Sequence, residues 1–233
     1  MTFLLPKAVA VIPARGGSKR LPRKNVLPFR GKPMLAYTIE AALSCGRLQR
    51  VVVSTDDDEI AEIGRCAGAE IDRRPAELAS DGATINQVLS EYLNRRAAAG
   101  EHWDIICCLY ATCPLRNADD IAAVLDLLQP GECDFALAVY QLDDYTHQAM
   151  RRHDDGGLDP LWPEMMTRRA SDIGPLYRGN GSTYAASVPA FLRNGSFYGL
   201  KMRGYVMPRE RSIDLDTVED LKLLEFHCRR DGL

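Results

Sequence analysis

The sequence contains no apolar run long enough to span a bilayer, so nothing in it reads as a membrane helix. Its start, Met1 to Lys7, lacks a basic leader followed by a long apolar stretch, which argues against a signal peptide. No two cysteines form a Cys-x-x-Cys pair, and the four histidines are scattered. A zinc site is therefore not expected. The seven cysteines are an odd number, and Cys107-Cys108 cannot both face one way in a strand. Buried, reduced thiols in a cytoplasmic protein are the expected state. Charge of one sign is also missing overall, with a net charge of -3 and a pI near 5.9. That argues against a general nucleic-acid binder, as does the lack of a basic face interleaved with aromatics. No internal repeat or low-complexity segment is present.

What remains is ordinary for a globular chain of 233 residues, 46% hydrophobic and 26% charged. That length accommodates one sizeable core. One stretch departs from the average. Ala8 to Ile12 is apolar and suits a buried strand. From Arg15 to Lys32 there are then seven basic side chains (Arg15, Lys19, Arg20, Arg23, Lys24, Arg30, Lys32) and no acid. About 20 residues separate this strand from the next helical pattern, against roughly 2–6 for loops in α/β units. Gly16 and Gly17 are expected to adopt positive φ and turn their N–H groups towards an anion. Lysine and arginine supply the matching charge, and a nucleoside triphosphate is a natural guest. A solvated basic loop is the competing reading. The position directly after a buried strand, where α/β sheets bind ligands, favours the anion.

The rest of the chain alternates. Helices are expected over Met34–Cys45 (stripe Leu35, Ile39, Ala42, Leu43), after a cap at Thr55 or Ser54, over Thr84–Ala99, from Asn117 through Leu128, and over Thr217–Cys228. Strands are expected over Arg50–Ser54, from Ala69 to Ile71, over Asp104–Tyr110, Asp134–Tyr140 and Ser196–Met207. Residues 73–81 read as a loop. Acids at positions 56–59 are explained by the helix dipole. The order implies an α/β, Rossmann-like, mostly parallel sheet with helices on both faces. Residues 1–233 read as one domain. Residues 141–195, with a hairpin near Asp154-Asp155-Gly156-Gly157 and a Pro-, Gly- and Arg-rich stretch, read as an excursion able to cover the site or join a second subunit.

Asp214 and Asp216 form an Asp-x-Asp pair whose side chains share one side if the backbone is extended. Two such carboxylates suit Mg²⁺, which keeps waters and also takes phosphate oxygens. In the other reading, Asp216 caps the last helix. The triphosphate-type loop tips the balance to the metal.

Ile12-Pro13-Ala14-Arg15-Gly16-Gly17-Ser18-Lys19-Arg20-Leu21-Pro22-Arg23-Lys24-Asn25 resembles the signature of the acylneuraminate cytidylyltransferases, which activate sialic-type sugars as CMP conjugates. Further matches follow in order: Val53-Ser54-Thr55-Asp56, Arg74-Pro75, Leu78-Ala79, Thr112-Cys113-Pro114-Leu115-Arg116, Asn180-Gly181 with Tyr184, and Ile213-Asp214-Leu215-Asp216-Thr217. The resemblance implies transfer of CMP from CTP to the anomeric hydroxyl of a nine-carbon 2-keto sugar acid, with Mg²⁺ or Mn²⁺ as the metal and a homodimer joined through the 141–195 arm. It implies nucleotide and phosphate contacts from Arg15, Ser18, Lys19, Lys24, Asn25 and Arg74, metal ligation by Asp214 and Asp216, and catalytic roles for Arg15, Lys24 and Asp216. Asp216 is the candidate base, directly or through water on the metal. Tyr110, Asn180, Phe197 and Tyr198 fall where the sugar is bound, with strand core as the other reading of the aromatic pair. Tyr110 replaces the glutamine usual in sialic-acid enzymes and resembles the pseudaminic acid branch. Asn180-Gly181-Ser182-Thr183-Tyr184 looks closer to the sialic or legionaminic pattern. KDO cytidylyltransferases share part of the basic loop, and a non-catalytic nucleotide-binding regulator of the same fold is the rival from another class.

Overall fold

The computed structural model describes residues 6–80, 82–129, 131–143 and 146–230. The reading of the first five residues, the Asp81 end of the expected loop and two positions of the expected excursion lie outside these. The elements run β1 (Ala8–Pro13), a two-residue hairpin of β2 (Pro28–Phe29) and β3 (Lys32–Pro33), α1 (Met34–Ser44), β4 (Arg50–Thr55), α2 (Asp58–Cys66) and β5 (Glu70–Arg73). Then come α3 (Ile85–Ala98), β6 (Ile105–Leu109), α4 (Ala118–Asp126) and β7 (Phe135–Gln141). The last third holds β8 (Met150–Arg152), β9 (Leu158–Pro160), a single turn α5 (Ala170–Ile173), β10 (Tyr177–Ser187), α6 (Val188–Asn194), β11 (Met202–Val206) and α7 (Val218–Arg230).

Seven strands form one sheet in the order β11-β7-β10-β6-β1-β4-β5. All neighbours pair in parallel except at β10, which runs antiparallel to both β6 and β7. Alternation in the buried strands divides the core between the two faces. Ala10, Ile12, Val51 and Val53 point to α1, α2 and α4, meeting Leu35, Ile39, Ile60 and Ile121. Val9, Val11 and Val52 point to α3 and α6, meeting Leu89, Tyr92 and Phe191. Cys107 and Cys108 fall on opposite faces, as the strand period of two requires. Leu43, expected in the apolar stripe of α1, is exposed instead. A third cluster joins Leu21, Phe29 and Met34 to Ile213, Leu215, Leu224 and Cys228. The basic loop is thereby anchored on the chain that carries Asp214 and Asp216 and on α7.

Three boundaries differ from expectation. The excursion is shorter than 141–195, because residues 177–187 are the inner strand β10; main-chain pairing to two neighbours holds them in the sheet. The strand expected over Ser196–Met207 is confined to Met202–Val206, paired with β7. Helix α2 is capped by Asp57, whose carboxylate accepts from the Ile60 N–H at 3.0 Å, because β4 continues through Thr55.

The switch in strand order lies beside β1. From β1 the chain moves outwards through β4 to β5, then crosses by α3 to β6 on the other side of β1. The crevice beyond the carboxyl ends of β1 and β6 is where open α/β sheets bind ligands.

Candidate active site

Two cavities open at that crevice. One, of about 530 Å³, is lined by Arg15, Ser18, Lys19, Arg20, Lys24 and Asn25 of the basic loop, by Arg74 after β5, and by Tyr110 to Thr112 after β6. The other, of about 1030 Å³, is bounded by Arg178 to Gly181 of β10, by Tyr184 and by Tyr198. Arg20, Tyr110, Asp214 and Asp216 line both. The two cavities therefore meet at the carboxylate pair.

The basic loop is shaped by acids from other elements. Arg23 adopts a left-handed backbone conformation (φ 57°). Its guanidinium is bound by Asp57 and Glu59, outside the cavity lining. The Arg23 fork holds the Asp57 carboxyl below the usual carboxylate range. Lys32 is bound by Glu40 at 2.7 Å. Thus Arg15, Lys19, Arg20 and Lys24 are the loop cations that reach the cavity.

The expectation for Gly16 and Gly17 requires correction, since neither lies at positive φ. Gly16 is needed for close approach: a Cβ there would stand 2.5 Å from Asp57 Oδ2. Its N–H donates to Asp56 Oδ1 at 3.2 Å, an internal acid rather than a ligand. The acids at 56–59 therefore brace the loop as well as offsetting a helix dipole.

Lys24 Nζ donates to Asp216 Oδ1 at 2.7 Å, and Arg20 pairs with the second oxygen at 2.8 Å. Asp216 is not the helix cap. Thr217 fills that role with Asp220, whose N–H donates to Thr217 Oγ1 at 3.2 Å while its carboxylate accepts from the Thr217 N–H at 2.8 Å. Asp214 accepts from the Thr112 hydroxyl, and the Leu215 N–H donates to the Thr112 carbonyl at 2.9 Å. Burial pushes the Asp214 carboxyl up. Asn25 spends its amide on the Arg15 carbonyl at 3.0 Å, fixing the turn of the loop. Arg74 donates to the Ser54 carbonyl at 2.9 Å, and its buried Nε has no partner among the described residues. Burial pushes the Arg74 guanidinium down.

On the other side, Tyr110 stands 5.5 Å from the Tyr184 ring, and Tyr198 meets Tyr184 edge-on at 6.2 Å. Phe197 is buried against Phe191 at 4.7 Å and backs Tyr184; it lines a smaller side cavity of about 220 Å³ and neither of the two larger ones. Asn180 lies in the wall of the larger cavity, but its amide is engaged. It donates to Ser212 Oγ at 3.0 Å and accepts from the Ser182 N–H at 3.0 Å. Residue types alone did not mark Arg20, Tyr184 or the Thr112–Asp214 contact as parts of the site; Arg20 was legible as a loop cation, whereas the other two depend on tertiary approach.

Asp214 and Asp216 offer oxygen donors at the junction, and among the described residues no third His, Cys, Asp or Glu completes a cluster with them. A half-buried carboxylate lining a cavity beside the loop cations fits a hard divalent ion that fills its remaining positions with water and substrate oxygens.

A basic loop and paired carboxylates at the switch point of an α/β sheet define the nucleotidyltransferase class. The family model described as Cytidylyltransferase matches residues 9–156. The chain is 31% identical over 221 residues to the pseudaminic acid cytidylyltransferase of Campylobacter jejuni, covering 94% of this chain and 95% of that protein. It is 31% identical over 217 residues to the N-acylneuraminate cytidylyltransferase of Streptococcus agalactiae, covering 92% of this chain and 51% of that one. Among solved structures, CMP:2-keto-3-deoxy-manno-octonic acid synthetase complexed with CTP superposes with a TM-score of 0.71 at 20% identity, over 97% of this chain and 99% of that one. At that identity the likeness is one of fold. The chain belongs to the cytidylyltransferase family and is a nucleotidyltransferase enzyme.

Proposed function

We propose that this enzyme transfers CMP from CTP to the anomeric hydroxyl of a nine-carbon 2-keto sugar acid and releases pyrophosphate. The observation that carries the reading is the meeting of two cavities at Asp214 and Asp216, one walled by the cations of the basic loop and Arg74, the other by aromatic and polar groups together with three arginines. A triphosphate suits the first and a sugar acid the second.

The sugar oxygen attacks the α-phosphorus in line, and the bond from that phosphorus to the bridging oxygen breaks towards pyrophosphate. Arg15, Lys19 and Lys24 stabilise the charge that develops on the leaving group. Ser18 and Arg74 contact the nucleotide, while Asn25 holds the Arg15 carbonyl in place. The hydroxyl proton passes to Asp216 or to water. Mg²⁺, with Mn²⁺ as its substitute, would be held by Asp214 and Asp216 and neutralises phosphate charge when bound. Tyr110 and Tyr198 face the sugar, with Asn180 and Phe197 supporting the wall behind it. Tyr110, in place of a glutamine, points to pseudaminic acid among the candidate acids. The cytoplasm, where CTP is found, is the proposed compartment, and a homodimer joined through the excursion is the proposed assembly.

The test is pyrophosphate release with CTP and Mg²⁺ against pseudaminic, legionaminic and N-acetylneuraminic acids and KDO. The expected result is the highest kcat/KM with a nine-carbon acid, pseudaminic acid first. KDO exceeding every nine-carbon acid would overturn the acceptor. Silence across the panel, with CTP binding intact, would overturn the reaction.

A further inference from the structure

The acceptor proposed above carries a carboxylate on the carbon next to its attacking hydroxyl. A carboxylate drawn out of water is costly unless a cation meets it. The residues placed against the sugar so far are aromatic or neutral, and the loop cations Arg15, Lys19 and Lys24 face the phosphate cavity. The carboxylate therefore needs a partner elsewhere.

Three arginines stand on the wall of the larger cavity: Arg20, Arg178 and Arg209. Arg20 is paired with Asp216 at 2.8 Å. Arg209 is bound by Asp143, and its guanidinium lies 5.9 Å from the Tyr140 ring centroid. Arg178 has no carboxylate partner among the described residues. It sits on β10 opposite Tyr140 of β7. Three residues further along the same strand is Gly181, where a Cβ would stand 2.8 Å from Asp214 Oδ2. The strand that abuts the reacting centre thus also carries the uncommitted guanidinium. Between the two lies Gly179, where a Cβ would come within 3.2 Å of Tyr184 Oη and 3.3 Å of Tyr198 Oη. Its missing side chain lets the Tyr184 and Tyr198 hydroxyls approach the strand next to Arg178.

We infer that Arg178 binds the carboxylate of the acceptor sugar acid and is a specificity residue for an acidic acceptor. This rests on the acceptor reading above. The planar fork of an arginine matches a carboxylate with two parallel hydrogen bonds, a geometry that lysine cannot reproduce. In the bland reading, Arg178 is a solvated surface side chain whose removal changes nothing.

The experiment compares wild type, Arg178→Met and Arg178→Lys in steady-state pyrophosphate release, with the preferred acid of the panel and with its C1 amide as a competing inhibitor. Loss of a hydrogen-bonded charge predicts a rise in sugar KM of about 10–100-fold in Arg178→Met. The CTP KM should stay within about twofold. Arg178→Lys should recover part of the loss. Wild type should bind the acid more tightly than the amide, and Arg178→Met should lose that preference. An active wild type with unchanged sugar KM in Arg178→Met would overturn the inference and leave the reaction standing. Equal weakening towards CTP and sugar in both variants would mark general damage and also overturn it. A wild type that binds CTP but turns over no acid would remove the acceptor reading and this inference together.

Discussion

Asp214 is held from three directions. Thr112 donates to it, the main chain at Leu215 is tied to Thr112, and Gly181 leaves the space its second oxygen fills. Gly181 also lies at φ 74°, a region that side-chain-bearing residues enter at a cost. Gly181→Ala therefore meets two penalties, one of backbone strain and one of contact with the carboxylate. The strain alone is worth about 1–3 kcal/mol. The expected outcome is a loss of that size in urea denaturation. Turnover should fall more steeply than CTP affinity, because the displaced group stands where the two cavities meet, while the cations of the basic loop, which line the phosphate side, stay in place. A variant with wild-type stability and turnover would show that the carboxylate shifts at no cost. Gly16 makes a similar space for Asp57. The glycine pair in a basic loop reads in the sequence as backbone freedom for an anion, but the reason for Gly16 in the structure is close approach, and it was not legible, since the acid that crowds Gly16 comes from position 57. The Asp-x-Asp pair was legible as a pair of facing carboxylates. What could not be read was that Lys24 and Arg20 would share Asp216, while Asp214 would rest on a hydroxyl.

At the scale of elements, the loop that delivers Asp214 is strutted against α4. Asp120, 1% exposed, accepts from both terminal nitrogens of Arg211, at 2.5 and 2.9 Å, and from Tyr205 Oη at 3.2 Å. It also closes the capping box with Asn117, accepting from that backbone N–H at 3.0 Å. One carboxylate thus joins the start of α4, strand β11 and the turn before the reacting loop. Removing one partner of such a pair leaves a buried charge without compensation, a cost of roughly 3–5 kcal/mol. Arg211 is partly exposed, which puts Arg211→Met near the low end of that range. The double variant Asp120→Asn with Arg211→Met should lose less than the sum of the two single losses in denaturation experiments. Strict additivity would mean that the two side chains do not support each other. The sequence pattern showed that Asn117 starts a helix, because a cap is a local device. It could not show the pairing of Asp120 with Arg211 across the fold. The same division explains β10. Its residues Tyr-Arg-Gly-Asn-Gly-Ser-Thr-Tyr hold two glycines and no run of β-branched side chains, and its pairing with β7 shifts register between Gly179 and Tyr184. Local preference therefore reads it as loop. Hydrogen bonding to β6 and β7 places it inside the sheet, where context outweighs propensity.

Across the whole molecule, the two ends of the chain converge on the site: the loop after β1 packs with α7 in the third apolar cluster. The segment between β7 and β10 contributes differently. It carries the β8–β9 hairpin as a separate two-stranded sheet, and a hairpin of two strands is marginal in water unless something covers it. Met150, Leu158, Leu161 and Trp162 of this segment are exposed, with Leu158 at 57%. Such a surface is suited to a second copy of the chain, because an apolar patch that meets its own symmetry mate closes after one contact and does not propagate. The expected mass by sedimentation at micromolar concentration is therefore twice the 25.9 kDa of the chain. Replacing Leu158 and Trp162 by aspartate puts like charges into such an interface and should yield monomer, with CTP binding retained, since neither residue lines the nucleotide cavity. A wild type that sediments as a monomer would leave the hairpin uncovered and remove the dimer. A double variant that stays dimeric would move the interface to another face of the molecule.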